Sequence, residues 1–401
     1  MPLAVGRGLD RATGLAAVQP QYPDDARNVY ARDAKMALRP GLQLSGFSAV
    51  PWGTDFLAIE TLKATLDIVY VLFDRDTREI RVYVRNAITG AIQVPTSPAN
   101  GLWGIVNSNA DFPVVQLAES NGLMSMAHAE LTFDLRLPTT YYTPNATSPN
   151  LPGVLTTLTA DLNGDGIAAP VYFSGVYPYL VYLCGWGYGT ETAGKSDRGD
   201  TLRISQPGEP TVFTAGNFFL AGVQKDPILD VIVADDILAI MKGDETYRLV
   251  GTSPADFGIY IMDAEYGTIA ARVTWNTGSR AYTWSSDGAR RVTRDGTFPI
   301  AQPLELISPM PDDFPAAGPA RLAFVVYDQQ RYLLYWCFPD IEGGTVPVRA
   351  FLLSLWAPDD PRWTLGEIQQ PVSCAGRLVT RDTSTVVPPV GYVSSVVGTD
   401  V

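Results

Sequence analysis

The stretch ILDVIVADDILAIMKGDETYRLVG, residues 228–251, decides the fold class. It contains three short apolar runs, which are separated by the polar turns Ala234-Asp235-Asp236 and Lys242-Gly243-Asp244. Short runs rich in Val, Ile and Leu that are bounded by Asp and Gly are typical of strands joined by tight turns. The stretch therefore predicts three consecutive strands of one antiparallel sheet.

The same pattern continues on both sides of this stretch. Residues 65–86 read TLDIVYVLFDRDTREIRVYVRN, and the polar turn Asp74–Thr77 divides them into two runs. In the second run Ile80, Val82 and Val84 alternate with polar residues, which predicts a strand with one buried face. Further runs of this kind occupy residues 129–137, 170–187, 268–296, 321–340 and 348–368.

The spacing of these runs predicts the architecture. Clusters of three or four strands that recur about every 40 to 50 residues favour a β-propeller over a sandwich or a barrel. We therefore expect an all-β chain with a propeller of six or seven blades. Residues 1–52 lack this periodicity and are predicted to form an extended N-terminal arm, residues 53–385 the propeller body, and residues 386–401 a C-terminal tail.

The composition agrees with many short strands and excludes several classes of protein. The 401 residues include 36 Gly and 31 Pro, and 10% are aromatic, which suits strands connected by turns. With 46% hydrophobic and 18% charged residues the chain is not intrinsically disordered. The formal net charge of -13 repels phosphate, so we do not expect a protein that binds nucleic acid by neutralising its charge. The same charge is explained equally well by solubility alone.

Residues suited to catalysis are sparse. His128 is the single histidine, which excludes metal sites built from several histidines, and no Gly-x-Ser-x-Gly motif occurs. The three cysteines, Cys184, Cys337 and Cys374, are widely spaced and are predicted to be buried free thiols. The sequence therefore predicts no catalytic residue and no cofactor, and we expect the chain not to be an enzyme.

The sequence DLNGDG, Asp161–Gly166, resembles half of a calcium-binding loop. Asp161, Asn163 and Asp165 match the first three ligand positions of an EF-hand. The position that requires a bidentate acid holds Tyr172, which cannot serve. We predict a polar turn and no metal site, with a weak calcium site as the remaining alternative.

A basic segment near the N-terminus, RNVYARDAKMALRPG, stands out on this acidic chain. It closes on a Pro-Gly pair, which favours a sharp turn. We predict that this segment is an assembly arm, which pairs with acidic surface of the same or a neighbouring subunit. The residues assigned to the arm are Arg27, Asn28, Arg32, Lys35, Arg39, Pro40 and Gly41.

Several segments, taken in order, resemble the β-propeller tail hub, or nozzle, proteins of short-tailed bacteriophages. They are the segment from Asn28 to Arg39-Pro40-Gly41, then APVYFSGVYPYLVYLCG at 169–185, DTLRISQPGEPTVF at 200–213, residues 228–257, and residues 265–297 with their Ser-x-Asp-Gly hairpin. Each motif alone is ordinary, and the order of the motifs carries the resemblance. The resemblance is clearest over residues 169–297, weaker over residues 24–41 and weakest in the rest of the chain.

The resemblance implies a structural virion protein. Identical copies would form a homo-oligomeric ring, expected to be a hexamer, below the head-tail connector, and DNA would pass through it without being read. The partners implied are further copies of the chain, the portal or adaptor protein, and tail fibre or spike proteins. An acidic lumen would keep sliding DNA from adhering.

An alternative is a propeller on the exterior of the tail that binds host glycan or anchors tail fibres. Exposed aromatic side chains would suit that role, and Tyr141, Tyr142 and Trp186 are its candidate residues. Neither reading involves insertion into a membrane, because no apolar stretch is long enough for a helical span. No apolar run typical of a signal peptide follows the N-terminus, and we expect synthesis in the cytoplasm of a bacterial host and localisation in the virion.

Overall fold

A computed structural model describes most of the chain. The described residues are 29–32, 35–38, 54–97, 101–106, 113–130, 135–187, 189–190, 199–222, 226–278, 280–300, 319–328, 332–339, 347–355, 362–367, 374–377 and 390–393. Within them the chain is almost entirely β-structure, with one short 3-10 helix at Pro319–Leu322.

The protein is a six-bladed β-propeller, which confirms the predicted fold class and selects the smaller of the two expected blade numbers. Each blade is an antiparallel sheet of four strands, and the first blade carries a fifth strand beside its third. The chain completes each sheet before it starts the next one, so blades that are consecutive in sequence are neighbours in space. Such a ring buries each sheet against the next.

The first part of the chain contains an N-terminal hairpin and blades 1 and 2. The hairpin consists of β1 Val29–Arg32 and β2 Lys35–Leu38. Blade 1 consists of β3 Thr54–Leu62, β4 Asp67–Asp74, β5 Glu79–Arg85, β6 Ile92–Gln93 and β7 Leu102–Ile105. Blade 2 consists of β8 Val115–Ser120, β9 Leu123–His128, β10 Thr140–Thr143 and β11 Val154–Thr157.

The middle part contains a small additional sheet and blades 3 and 4. The additional sheet consists of β12 Thr159–Ala160, β13 Ala169–Tyr172 and β16 Gly189–Thr190. Blade 3 consists of β14 Gly175–Tyr179, β15 Tyr182–Trp186, β17 Thr201–Gln206 and β18 Glu209–Leu220. Blade 4 consists of β19 Asp230–Ala234, β20 Ile237–Met241, β21 Thr246–Val250 and β22 Gly258–Asp263.

The last part contains blades 5 and 6 and a C-terminal hairpin. Blade 5 consists of β23 Trp275–Asn276, β24 Ala281–Ser285, β25 Gly288–Thr293 and β26 Gly296–Pro299. Blade 6 consists of β27 Phe324–Asp328, β28 Leu333–Pro339, β29 Pro347–Ser354 and β30 Arg362–Glu367. The C-terminal hairpin consists of β31 Cys374–Arg377 and β32 Val390–Val393.

The hydrophobic pattern sets the register of the strands. In β5 the residues Ile80, Val82 and Val84 are buried and alternate with half-buried or exposed residues, as predicted. The preceding strand β4 is buried along nearly its whole length because it lies between other strands and other sheets. β4 and β5 pair antiparallel across the predicted turn, with Phe73 opposite Ile80.

The core lies between neighbouring blades. Between blades 5 and 6 the ring of Trp284 lies 5.5 Å from that of Trp336 and 4.8 Å from that of Phe338, both edge to face. The indole Nε1 of Trp336 donates a hydrogen bond to the Val273 carbonyl at 3.0 Å, so its polar group is satisfied inside the core. Burial of one such side chain contributes about 1.5–3 kcal/mol to stability.

One predicted strand is wrong in its described part. Residues 129–130 and 135–137 belong to the alternating run AELTFDLRL but lie outside any strand. Arg136 explains the departure, because its buried guanidinium donates to the carbonyls of Glu130 and Gly187 and thereby fixes the segment that connects β9 and β10 of blade 2 against blade 3. Alternation of apolar and polar residues cannot distinguish such a connection from a strand.

The C-terminal hairpin lies where the ring closes, between blades 6 and 1, and the N-terminal hairpin lies against blade 6. β31 contacts both β3 and β27, which are the first strands of blades 1 and 6. β1 contacts β29 and β30 at the outer edge of blade 6. The segment predicted as an extended arm therefore includes a hairpin, and β32 lies in the segment predicted as the tail.

Candidate functional site

A cavity of about 310 Å³ lies at the centre of the propeller. The first strand of each blade, or the segment leading into it, contributes side chains to its lining. Pockets that hold small ligands usually have volumes of about 300–1,000 Å³, so this cavity is at the lower end of that range. The centre of the ring is the candidate functional site.

Gln116 connects three blades across this centre. Its Nε2 on β8 of blade 2 donates to a carboxylate oxygen of Asp230 in blade 4 at 3.2 Å, and to the carbonyl of Ala271 in the segment leading into blade 5 at 2.5 Å. Because both acceptors contact the nitrogen, the orientation of the amide is fixed. The Oε1 atom is buried and has no hydrogen-bond partner.

Arg272, in the segment leading into blade 5, forms a second connection, which reaches blade 1 and the segment leading into blade 6. Its guanidinium donates to the Leu57 carbonyl of blade 1 at 2.9 Å and to the Leu322 carbonyl at 3.4 Å. Because Arg272 and Gln116 both join blades that are not neighbours, side chains cross the axis of the propeller. The axis is therefore closed as a passage for a polymer such as DNA.

Asp230 is the carboxyl group at this crossing. It also accepts hydrogen bonds from the backbone N–H of Val231 at 2.9 Å and from the hydroxyl of Thr274. Burial raises the pKa of Asp230 to about 7, and the hydrogen bonds from Thr274, Val231 and Gln116 oppose this rise. This carboxyl group therefore changes its protonation state near neutral pH.

Charged side chains lie near the strand ends that line the cavity. Lys63, which follows β3, lies 3.5 Å from the Glu119 carboxylate of β8. Glu60 is half-buried on β3 and accepts a hydrogen bond from the backbone N–H of Thr61 at 3.1 Å. The cavity thus has carboxyl groups from blades 1, 2 and 4 in its lining, together with the cationic side chains of Lys63 and Arg272.

No sequence motif predicted Gln116 or Asp230 as site residues. Asp230 begins the apolar run of β19. A carboxylate in such a run could have indicated a site residue, because burial of an unpaired charge is costly. Nothing in the sequence indicates its partner, because Gln116 lies 114 positions earlier.

Most of the predicted arm residues lie outside the described part of the chain. These are Arg27, Asn28, Arg39, Pro40 and Gly41. Arg32 and Lys35 are opposite each other at the turn of the β1–β2 hairpin. The predicted role of the arm in assembly stays a prediction.

The DLNGDG turn is organised by its own first residue. The Asp161 carboxylate accepts hydrogen bonds from the backbone N–H groups of Gly166 at 2.8 Å and Gly164 at 2.7 Å. The bond from Gly166 is the main cause that lowers the pKa of Asp161, and desolvation opposes it. In the described part of the chain no group of three or more His, Cys, Asp or Glu side chains is arranged to hold a metal ion. The turn is anchored because the buried Arg203 donates to the Leu162 carbonyl at 3.2 Å.

His128 and the described cysteines are buried. The Nδ1 atom of His128 accepts a hydrogen bond from the backbone N–H of Leu137 at 3.3 Å, and burial lowers the pKa of this imidazole to about 4. Cys184 and Cys337 are buried free thiols, as predicted, and burial raises the pKa of Cys184. Cys374 belongs to β31, and its side chain lies outside the described residues.

Two of the three aromatic residues proposed for glycan binding are not available at the surface. Tyr142 is 2% exposed and Trp186 is 1% exposed, so the prediction that they are exposed is wrong. The hydroxyl oxygen of Tyr142 accepts a hydrogen bond from the backbone N–H of Gly153 at 3.2 Å within the core. Tyr141 is half-buried and packs against the cluster between blades 2 and 3.

Exposed apolar side chains occur on the outer strands of three successive blades. We call this set the outer flank; it consists of Val212, Phe218 and Leu220 of β18, Tyr260 and Ile261 of β22, and Phe298 of β26. β18 contacts β22, and β22 contacts β26, so the three strands are neighbours. Apolar side chains grouped in this way are typical of surfaces that bind another protein.

Comparisons with known proteins identify no family. No protein-family profile matches the chain. No curated protein matches it either. Among the described residues, no helix is sufficiently long and apolar to cross a bilayer.

Solved structures similar to the chain share little sequence with it. The propeller domain of the trilobed protease from Pyrococcus furiosus is 10% identical, with a TM-score of 0.37, and the match covers 81% of this chain and 87% of that one. A gluconolactonase from Xanthomonas campestris is 12% identical, with a TM-score of 0.34 and coverages of 75% and 85%. The extracellular domain of a hybrid two-component system from B. thetaiotaomicron is 9% identical, with a TM-score of 0.35; the match covers 74% of this chain, which spans 38% of the length of that domain.

Proposed function

We propose that this chain is a structural subunit of a bacteriophage tail. Identical copies form a ring below the head-tail connector, and DNA leaves through the space that the ring encloses. The proposal is supported by the order of the sequence segments between residues 169 and 297, which resembles that of tail hub and nozzle proteins, and by the propeller fold. In this proposal the connector and the tail fibre or spike proteins are the partners, and the location is the virion.

The observation that carries the proposal is the outer flank. Tyr260 is 57% exposed and Ile261 is 53% exposed, and the neighbouring strands β18 and β26 also carry exposed apolar side chains. An exposed apolar surface on a water-soluble fold is costly unless it is covered. A second copy of the chain is the occupant that ring assembly requires.

The closed axis determines where DNA could pass. Because Gln116 joins blade 2 to blade 4 and to the segment leading into blade 5, and Arg272 reaches blade 1, side chains occupy the centre and leave no path for a double helix through one propeller. In this proposal the path lies between copies, in the lumen of the ring. The formal net charge of -13 per chain would give such a lumen a field that repels phosphate and lets DNA slide.

Sedimentation analysis of the purified protein tests ring assembly. The variant Phe218→Ser, Tyr260→Ser, Ile261→Ser removes three apolar side chains from the outer flank. We expect the unchanged protein to sediment as a closed oligomer and this variant to sediment as a monomer with the same circular dichroism spectrum.

The matched control changes exposed apolar residues elsewhere. Ile88 is 56% exposed and Leu151 is 57% exposed, and both are in turns of blades 1 and 2. The variant Ile88→Ser, Leu151→Ser should sediment like the unchanged protein. An unchanged protein that stays monomeric, or a flank variant that still forms the ring, would refute assembly through this surface.

A further inference from the structure

We propose that the propeller ring opens transiently at the junction between blades 6 and 1, and that the two terminal hairpins hold this junction closed. We call the junction the seam. Its walls are formed by blade 1, with β3 as first strand, and by blade 6, with β27 as first strand. The proposal concerns a single propeller and does not depend on the proposed assembly.

The course of the chain makes the seam different from the other five junctions. Each blade is formed by one continuous stretch of the chain, and at five junctions the chain passes from one blade to the next. Blades 6 and 1 are the last and the first blade, so no such passage joins them. Among the described strands, none that follows blade 6 belongs to the sheet of blade 1, and none that precedes blade 1 belongs to the sheet of blade 6. The described part of the seam therefore has neither a covalent connection nor a shared ladder of backbone hydrogen bonds.

The two terminal hairpins reach across the seam in opposite directions. The β1–β2 hairpin precedes blade 1 in the chain and contacts β29 and β30 of blade 6. The β31–β32 hairpin follows blade 6 and contacts β3 of blade 1. Each hairpin is a sheet of its own, so packing and not strand pairing holds it to the opposite blade. An element held in this way separates at a lower free-energy cost than a strand inside a sheet.

The apolar clusters show the same difference between the seam and the other junctions. At five junctions a cluster of buried side chains includes strand residues of both blades. In β3 and β4 the side chains of Leu57, Val69 and Val71 pack toward blade 2. Because side chains alternate along a strand, the other face of these strands points to the seam. Its buried cluster consists of blade 1 residues alone, which are Phe56, Ile59, Ile68, Tyr70 and Leu72.

Blade 6 has a buried apolar face on its side of the seam. In β28 the side chains of Leu334 and Trp336 pack in the cluster shared with blade 5. Leu333, Tyr335 and Cys337 alternate with them and therefore face the seam, where they are no more than 5% exposed. The seam thus has apolar walls on both sides, and β31 contacts both β3 and β27. Opening of the seam would expose these walls, including Cys337, to solvent.

Arg272 joins the two sides of the seam near the axis. Its guanidinium donates to the carbonyl of Leu57 in β3 at 2.9 Å and to the carbonyl of Leu322, which precedes β27, at 3.4 Å. The second hydrogen bond is long and therefore weak. The side chain of Leu322 also packs in the cluster between blades 1 and 2. These contacts come from single residues, so one substitution can remove them.

Opening of the seam would change access to the central cavity. Leu57 and Ala58 of β3 and Phe324 and Val325 of β27 belong to the lining of the cavity. Separation of these two strands would therefore give the cavity an entrance from the side of the ring. Lids and loops open in this way in proteins whose sites are otherwise enclosed.

Labelling of the protein's own cysteines tests the proposal. Cys337 faces the seam, whereas Cys184 is buried in the cluster between blades 3 and 4. The unchanged protein is incubated with a bulky maleimide at pH 7, and peptide mass spectrometry measures the labelling rate of each thiol. We expect Cys337 to be labelled at least tenfold faster than Cys184, because opening of the seam exposes Cys337 and leaves Cys184 buried. Equal labelling rates would overturn the proposal.

Variants distinguish opening of the seam from unfolding of the whole protein. Arg272→Met removes the hydrogen bonds that join the two sides and should speed the labelling of Cys337 roughly tenfold without changing that of Cys184. Arg290→Met is the matched control, because this buried arginine forms its hydrogen bonds within blade 5, and it should leave the ratio of the two rates unchanged.

Removal of residues 374–401 takes away β31 and β32 and should speed the labelling of Cys337 further. If this shortened chain does not fold, the comparison of Arg272→Met with Arg290→Met decides. An equal rise for both thiols in Arg272→Met, or an unchanged rate for Cys337 in that variant, would show that the seam does not open separately.

Discussion

Gly175 shows how closely the side chains pack at the centre of the molecule. A Cβ atom at this position would lie 2.1 Å from Cζ2 of Trp186 and 2.2 Å from Oε1 of Gln116. The constraint is steric, because a side chain at Gly175 would occupy the space of two buried groups. The start of β14 can therefore lie this close to Gln116 only because residue 175 is a glycine.

Gly175→Ala is expected to destabilise the fold by about 1–3 kcal/mol, because overpacking forces the neighbouring side chains to move. Urea denaturation followed by circular dichroism measures this loss. Gly216→Ala in β18 is the control, because no atom lies within 4 Å of a Cβ there. It should leave stability unchanged or raise it slightly; equal losses in the two variants would contradict the packing described here.

Asp230 makes stability depend on pH near neutrality. Its pKa in the folded protein, about 7, is above the ordinary value of 3.8 that applies to the unfolded chain. The stability that it contributes is therefore complete below about pH 4 and is lost as the pH rises through 7. The difference between these two pKa values corresponds to a loss of roughly 4 kcal/mol in the free energy of unfolding, as an upper limit.

Asp230→Asn is expected to raise the melting temperature at pH 8 and to change it little at pH 5. The amide imitates the protonated acid: its oxygen can accept from Val231 and Gln116, and its nitrogen can donate to the Thr274 hydroxyl. Calorimetry at the two pH values measures the difference. A variant that is less stable than the unchanged protein at pH 8 would show that Asp230 is needed as a carboxylate.

Residue patterns predicted the strands better than they predicted the centre. The alternation in β5 and the turns at Asp235-Asp236 and Ser286-Asp287 are local signals, and the structure has them where they were expected. The hydrogen bond between Gln116 and Asp230 joins positions distant in sequence, and a single sequence contains no record of such a pair. The burial of Tyr142 and Trp186 could not be predicted either, because aromatic residues occur both in cores and at binding surfaces.

At the scale of elements, the blades follow from the sequence and their connections do not. Blade 4 has the three strands read from residues 228–251, with β22 added at its outer edge. The small sheet of β12, β13 and β16 was not predicted, because two of its strands have only two residues each and carry no measurable period. The contact of β1 with blade 6 was not predicted either, because the two segments are far apart in sequence and local patterns do not report such contacts.

Deletion of residues 1–41 tests the arm. We expect the truncated protein to keep its β-rich circular dichroism spectrum, because each of the six blades is complete without β1 and β2, and to sediment as a smaller species. Removal of residues 394–401, which follow β32, is the control and should leave sedimentation unchanged. Loss of the folded spectrum on removal of the arm would instead make the hairpin an essential part of blade 6.

At the scale of the whole molecule, the closed centre and the outer flank have different consequences. A propeller whose axis is crossed by Gln116 and Arg272 is a solid block, and any large passage has to lie between blocks. The apolar side chains of β18, β22 and β26 are on the outside of blades 3, 4 and 5, where a neighbouring copy can cover them. The proposed ring of rigid blocks would use both features, the closed axis within each block and the apolar strands between blocks.

Electron microscopy of the purified chain tests this account most directly. The account predicts class averages that show a closed ring of identical propellers around an open lumen, each propeller being closed at its own axis. Class averages that contain only single propellers, at concentrations where the protein is stable and folded, would contradict it.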